Sequence, residues 1–79
     1  MIMLREVGEV VSVDPKVMSG APVFKGTRVP IQTLLDHLEA GDGLEVFLTS
    51  FPTVSREQAI RFLELAGEAV VMALDADTA

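Results

Sequence analysis

The strongest constraint on the fold is the segment from Ser55 to Leu74, which reads as one long helix with an unusually wide apolar side. Ser55 and Gln58 form a capping box, in which each side chain satisfies a backbone N–H at the helix start. At about 100° per residue, all the charged side chains except that of Arg56 fall on one narrow stripe, and apolar residues cover roughly 200° of the circumference. A surface helix normally buries an apolar stripe only somewhat wider than about 100°. The charged stripe consists of Glu57, Arg61, Glu64, Glu68 and Asp75.

The rest of the chain is too short to cover this apolar side. The chain has 79 residues and no cysteine, so neither a large core nor disulfides can compensate. One interpretation is a central helix wrapped by its own domain, and the other is a helix that pairs with itself or with another protein. We favour the second, and expect a homodimer, a higher homo-oligomer or a complex with a partner chain. The residues predicted to form the partner interface are Val70, Val71, Met72 and Leu74.

The remaining sequence predicts a short β element followed by two further helices. Residues 1–13 alternate and are rich in β-branched types, which indicates a strand or a loose hairpin that ends at Asp14-Pro15. The apolar spacing predicts a helix from Pro30 to Ala40, stopped by Gly41, and a short helix from Leu44 to Ser50. We therefore predict a single, mainly α domain over residues 1–79. Its parts are a β-rich arm and turn (1–29), a three-helix, helix-turn-helix-like unit (30–74) and a frayed tail (75–79).

The net charge of −6 is spread unevenly along the chain. Residues 1–28 carry four basic and three acidic side chains, a sum of +1, whereas residues 29–79 carry two basic and nine acidic ones, a sum of −7. Nucleic-acid binding depends on neutralising phosphates with Lys and Arg, so the acidic helical half favours a basic protein as partner.

The sequence shows no membrane-spanning apolar run and no signal-peptide pattern, so we expect a cytoplasmic protein.

The second and third predicted helices have the lengths of a helix-turn-helix, so a dimeric DNA-binding regulator is the alternative function. A DNA reader presents polar or basic side chains at the start of its second helix. Arg56, Gln58 and Arg61 occupy that region and are the candidate DNA contacts. The competing interpretation is a three-helix core whose charges are solvated, because Glu57 and Glu64 would face phosphate unfavourably.

No pattern in the sequence predicts catalysis, a cofactor or a metal site. The segment from Lys25 to Arg28 lacks the spacing of a phosphate loop. Gly26, Thr27 and Arg28 are instead expected to form a tight turn, with Gly26 at positive φ and Arg28 bonded to backbone carbonyls or an acid. His37 has neither a second His nor a Cys in the chain with which to build a site. The sequence therefore predicts a binding module and not an enzyme.

Several short motifs follow one another in a recognisable order. They are Val13-Asp14-Pro15, the segment from Gly20 to Pro30 with Gly-Thr-Arg at its centre, Gly41 and Phe51-Pro52. This order resembles the family called domain of unknown function 433, over almost the whole chain. The resemblance implies a helix-turn-helix-like fold and an antitoxin of VapB type that neutralises a PIN-like ribonuclease encoded next to it. It also implies a homodimer with β-strand contacts near the N-terminus. The chain departs from the family in its acidity and at Gly43, where members commonly have a Ser cap.

Overall fold

The computed structural model describes residues 2–78, with side chains described for residues 6–75. Two short strands near the N-terminus pair with each other, and a 3-10 turn at Met18–Gly20 lies between them in the chain. The fold is mainly helical with a short antiparallel β element near the N-terminus, as the sequence predicts. The elements are α1 (Ile2–Val10), β1 (Val11–Ser12), β2 (Val23–Phe24), α2 (Ile31–Glu39), α3 (Leu44–Ser50) and α4 (Arg56–Thr78).

The N-terminal arm departs from the sequence prediction, because residues 2–10 are helical and not extended. Val7, Val10 and Val11 stand three and four residues apart, and all three pack on the hydrophobic core. Their β-branched composition suggested a strand, but burial of this side against the core outweighs that weak local preference. The β-rich arm is therefore reduced to two strands of two residues, with Val11 paired to Phe24 and Ser12 to Val23.

The turn after β2 forms as predicted. Gly26 has a φ of 81°, a left-handed value that glycine adopts without steric cost. The Thr27 hydroxyl donates to the Phe24 carbonyl at 2.8 Å and accepts from the Val29 amide at 3.0 Å. The Phe24 amide donates to the Val29 carbonyl at 2.9 Å, so the chain folds back along the outer edge of β2.

Replacing Gly26 by alanine is expected to lower the free energy of unfolding by about 1–2 kcal/mol, because a Cβ strains the left-handed conformation. Steric crowding is not the cause, since an added Cβ would meet no atom within 4 Å. Gly67 is the matched control: it has equally open space but lies inside α4. Alanine at position 67 should stabilise the protein by about 0.5–1 kcal/mol. Urea denaturation measures both variants, and changes of the same sign would contradict this account of the turn.

The two middle helices lie where the sequence predicts them. α2 is one residue shorter at each end than expected, and α3 has the predicted bounds. Gly41 stops α2: its φ is 91°, and its amide donates to the Leu38 carbonyl at 3.0 Å. This left-handed glycine satisfies a carbonyl that the helix end would otherwise leave open.

The last helix begins as predicted but ends later. The Ser55 hydroxyl accepts from the Gln58 amide at 3.0 Å, which is one half of the predicted capping box. The Gln58 side chain bonds elsewhere, so the reciprocal half does not form. Within the described residues, α4 continues to Thr78, past the end near Leu74 that the sequence predicts. Alanine and leucine favour helix and no Gly or Pro stops it; Ala79 lies outside the described residues.

A chain of phenylalanine rings forms the centre of the core. Phe24 of β2 lies 6.0 Å from Phe47 of α3 and 5.6 Å, edge to face, from Phe62 of α4, measured between ring centroids. Phe51, in the turn after α3, extends the chain at 5.2 Å from Phe47. These rings therefore fix β2, α3 and α4 relative to one another. The other buried core residues include Val10, Val29, Leu34, Val54, Ala59 and Leu65.

Candidate protein-binding surface

α4 continues past the core that it helps to build. Leu65 is the last buried residue described on this helix, and every described residue from Gly67 to Asp75 is exposed. We call residues 67–75 the α4 extension. The partner interface predicted from the sequence requires that four apolar side chains of the α4 extension are exposed to solvent. Their exposed fractions are 60% for Val70, 57% for Val71, 58% for Met72 and 58% for Leu74.

The apolar residues of α4 divide into two faces at about 100° per residue. One face continues the buried side of the helix into the exposed part, and we call it the alanine seam. On the outer face, Val71 lies beside the acidic stripe of the helix, and Leu74 lies next to Val71 on the side away from that stripe. The alanine seam consists of Phe62, Ala66, Ala69 and Ala73. The stripe that borders the outer face contains Glu64, Glu68 and Asp75.

An apolar groove of about 340 Å³ runs beside the alanine seam. α4 forms one wall, and the end of α1, β1 and the start of α2 contribute the rest. Sequence reasoning missed this groove because it assigned residues 1–13 to a strand, although the helical spacing of Val7, Val10 and Val11 was the available signal. No lining residue carries a charge. The lining residues are Val7, Val11, Val13, Pro22, Ile31, Phe62, Leu65, Ala66 and Ala69.

Arg61, a predicted DNA contact, is held by carboxylates of its own chain. Its guanidinium donates to Glu64 at 3.2 Å and to Glu6 of α1 at 2.5 Å. The Glu68 carboxylate lies 3.9 Å away. The hydrogen bonds to Glu64 and Glu6 raise the pKa of Arg61 above its ordinary value, so the guanidinium stays cationic. The structure therefore uses Arg61 to join α1 to α4 within an acidic cluster.

The other two predicted DNA contacts are also engaged within the chain. The Arg56 guanidinium donates to both carboxylate oxygens of Glu45 on α3, at 2.6 Å for Oε2. The Gln58 side-chain amide donates to the carbonyl of Lys25 at 2.9 Å and to that of Val10 at 3.4 Å. The structure brings these residues together at the start of α4, where they tie that helix to α3 and to the β element.

Replacing Gln58 by alanine is expected to lower the free energy of unfolding by about 1 kcal/mol, because the tie from α4 to the β element is lost. Gln32 is the matched control, since within the described residues its side chain bonds only to Asp36, one turn along the same exposed helix face. Alanine at position 32 should change stability by less than about 0.5 kcal/mol. Chemical denaturation distinguishes the two, and equal values would contradict a structural role for Gln58.

A second concavity of about 730 Å³ lies beside the Gly-Thr-Arg turn. Gly26 and Thr27 have structural roles in the turn itself: Gly26 adopts its positive φ, and the Thr27 hydroxyl forms two hydrogen bonds. Arg28 is exposed on the wall of the concavity. It forms no ion pair or side-chain hydrogen bond with another described residue, so the bond expected from the sequence is not formed there.

The remaining candidate from the sequence, His37, has a structural role. Its Nδ1 donates to the Thr33 carbonyl at 3.0 Å, and its ring packs edge to face on Phe47 and Phe51, with centroids 5.7 Å apart in each case. Within the described residues, no three His, Asp or Glu side chains lie close enough to hold a metal ion. None of the described helices, α4 included, has the length and apolar character needed to cross a membrane.

The family can be assigned from the match of the sequence to a family profile. Residues 11–66 match the profile of the family described as "Protein of unknown function (DUF433)". The chain belongs to the DUF433 family. The matched segment runs from β1 to the end of the buried part of α4, so the whole α4 extension lies beyond it.

Individual relatives agree with this assignment. The DUF433 chain is similar to "Uncharacterized protein y4eO" of Sinorhizobium fredii (strain NBRC 101917 / NGR234), with 34% identity over 61 residues. That match covers 77% of this chain and 27% of the relative, so the chain spans about a quarter of the relative's length. A crystal structure of a DUF433 member from Anabaena variabilis ATCC 29413 matches with a TM-score of 0.66 and 19% identity, over 94% of this chain and 72% of that one. At this identity, the structural match concerns the fold alone.

Proposed function

We propose that this DUF433 chain is the antitoxin of a type II toxin–antitoxin pair and neutralises a PIN-like ribonuclease in the cytoplasm by binding to it. The observation that carries the proposal is the α4 extension, which presents four exposed apolar side chains beyond the core. Apolar side chains clustered on the surface of a small protein indicate a binding site for another protein. The PIN-like class of the partner rests on the family resemblance, whereas binding through a protein surface rests on this helix.

The charge of the outer face supports a basic partner. The stripe along α4 has four carboxylates, and the single guanidinium of Arg61 offsets only one of them. A ribonuclease surface that binds RNA is itself rich in Lys and Arg, because it must neutralise phosphates. An apolar patch bordered by carboxylates is complementary to such a surface in charge.

Direct binding to DNA has less support. Arg56 and Arg61 already pair with carboxylates, so contact with phosphate would require breaking these ion pairs. We expect no mobility shift of the DNA upstream of the gene with the isolated chain at roughly physiological salt. A shift that disappears in the double variant Arg56→Ala, Arg61→Ala would overturn this expectation and favour the regulator.

Co-expression with the adjacent gene product tests the proposed function. If that product is a toxin, the chain should relieve the growth arrest that it causes and should co-purify with it. The double variant Val71→Lys, Leu74→Lys should lose both effects, because it removes the apolar side chains of the outer face and sets positive charges against the basic partner. Val46→Lys is the matched control, since Val46 is also an exposed apolar residue (49%) but lies on α3. Absence of both rescue and co-purification would refute the proposal.

A further inference from the structure

We infer that the concavity beside the Gly-Thr-Arg turn binds a carboxylate that is attached to an apolar group, and that the Arg28 guanidinium holds this carboxylate. The inference goes beyond the proposed function and does not depend on it, because the concavity and the α4 extension share no residue. It rests on an unpaired guanidinium, a fixed turn, two free hydroxyls and a group of valines.

Arg28 differs from the other arginines whose side chains are described. Arg56 pairs with Glu45, and Arg61 is held by carboxylates of α1 and α4. Arg28 lines the concavity and forms no ion pair or side-chain hydrogen bond with another described residue. A guanidinium presents a planar fork of N–H donors that fits both oxygens of a carboxylate at once. Arg28 is therefore the group that would anchor an anion here.

The turn fixes the backbone on both sides of Arg28. The Thr27 amide donates to the Phe24 carbonyl at 3.0 Å, and the Val29 amide donates to the Thr27 hydroxyl at 3.0 Å. The Val29 carbonyl in turn accepts from the Phe24 amide at 2.9 Å. A ligand then has only the Arg28 side chain to order, because the backbone is already in place, and this reduces the entropic cost of binding.

The charges that line the concavity favour a carboxylate over a phosphate. Arg28 is the one described cation on the lining, and Asp14 is the one described carboxylate. Asp14 accepts from the Lys16 amide at 2.9 Å and forms no ion pair with Arg28. A carboxylate adds a single negative charge, which one guanidinium neutralises. A phosphate monoester carries about −1.5 to −2 and would leave negative charge uncompensated beside Asp14.

The rest of the lining predicts what accompanies the carboxylate. The hydroxyls of Ser12 and Thr53 form no side-chain hydrogen bond with another described residue, so both are available as donors. Val13 is 64% exposed, and an apolar group bound here would cover it. Few polar groups among apolar side chains, in a volume of about 730 Å³, are typical of sites for small molecules or chain ends. The valines of the lining are Val13, Val17, Val23 and Val29.

Titration of the isolated, ¹⁵N-labelled full chain with N-acetyl-leucine, followed by NMR, tests the inference. The amide signals of Thr27, Val29 and Thr53 should shift progressively, with a dissociation constant in the millimolar range. Arg28→Gln should weaken binding by at least about 10-fold, because the charge-assisted hydrogen bonds are lost. Lys25→Gln is the matched control: Lys25 is an exposed cation of the same turn that does not line the concavity. Its affinity should be unchanged, and the spectra report whether both variants are folded.

Further ligands separate the two parts of the predicted chemistry. N-acetyl-leucinamide lacks the carboxylate and acetate lacks the apolar group, so each should bind at least about 10-fold more weakly than N-acetyl-leucine. Free leucine distinguishes the two sources of such a carboxylate. Its ammonium group can pair with Asp14, so tighter binding of leucine indicates a free amino acid. Tighter binding of N-acetyl-leucine indicates the C-terminus of a protein.

Three results would overturn the inference. They are an absence of shifts with N-acetyl-leucine, equal binding of its amide, and an affinity that Arg28→Gln leaves unchanged. Inorganic phosphate that displaces N-acetyl-leucine at lower concentration than acetate does would overturn the choice of a carboxylate. Because no toxin is present in these titrations, their outcomes are independent of the proposed function.

Discussion

Phe24→Ala is expected to leave most of the chain unfolded at room temperature. The Phe24 ring is fully buried and contacts the rings of both Phe47 and Phe62, so it joins β2 to α3 and α4. Truncating a buried phenylalanine costs about 3–5 kcal/mol, through lost burial and the cavity left behind. A core of this size rarely supplies more than roughly 3–5 kcal/mol in total. One substitution therefore removes about as much stability as the whole domain has.

Phe51→Ala is the matched control for this substitution. Phe51 belongs to the same chain of rings but is only half-buried, at the end of the chain. We expect a loss of roughly half that of Phe24→Ala, because less apolar surface leaves water at this position. Thermal and urea unfolding followed by circular dichroism measure both. If Phe24→Ala unfolded cooperatively within about 1 kcal/mol of the parent chain, the ring chain would not be the centre of the core.

Ending the chain after Ala69 is expected to preserve the fold and to abolish binding of the proposed toxin. The core of α4 ends at Leu65, so the described side chains that are removed belong to the exposed part of the helix. The truncation should lower the free energy of unfolding by about 1 kcal/mol. The same truncation removes all four exposed apolar residues of the predicted interface. If at least two of them contribute more than about 1 kcal/mol each, affinity falls by roughly 100-fold or more.

A chain that ends after Asp75 is the control, because it is also shortened but retains the α4 extension. It should bind the toxin as the full chain does and should rescue growth. Titration calorimetry against the purified toxin and unfolding curves of both truncated chains separate the effects. Loss of the fold in the chain ending at Ala69 would show that the extension belongs to the core. Full affinity in that chain would place the binding surface elsewhere.

Local signals in the sequence were sufficient for the middle of the fold. Gly26 and Gly41 were identified as turn and stop positions because only their lack of a Cβ matters there, and both have positive φ. The bounds of α3 and the Ser55 cap likewise depend on residues a few positions apart. In α1 the deciding factor is distant: the helix exists because Val7 and Val10 meet the core. Composition alone favoured a strand there, since it carries no information about that contact.

The candidate surface was predictable only in part, because the sequence shows local patterns but not which distant residues come into contact. The exposed apolar residues of α4 follow from counting how little chain is available to cover a long helix. The contacts of the polar residues at the start of α4 do not follow from the sequence, because their partners lie far away along the chain. Gln58 bonds to carbonyl groups 33 and 48 positions away, and Arg61 reaches a carboxylate 55 positions away. A helix-turn-helix pattern marks these residues as DNA contacts only if the fold leaves them free.

The α4 extension also has a consequence for turnover of the protein. Unwinding this helix from its C-terminal end exposes little additional apolar surface, so local opening there costs less free energy than opening of the core. A protease that requires an unfolded segment would cleave within the α4 extension while the core stays folded. A partner bound as proposed would hold the same turns in helical form and would slow the cleavage. The lifetime of the chain in a cell would then depend on whether its surfaces are occupied, with free copies removed sooner than bound ones.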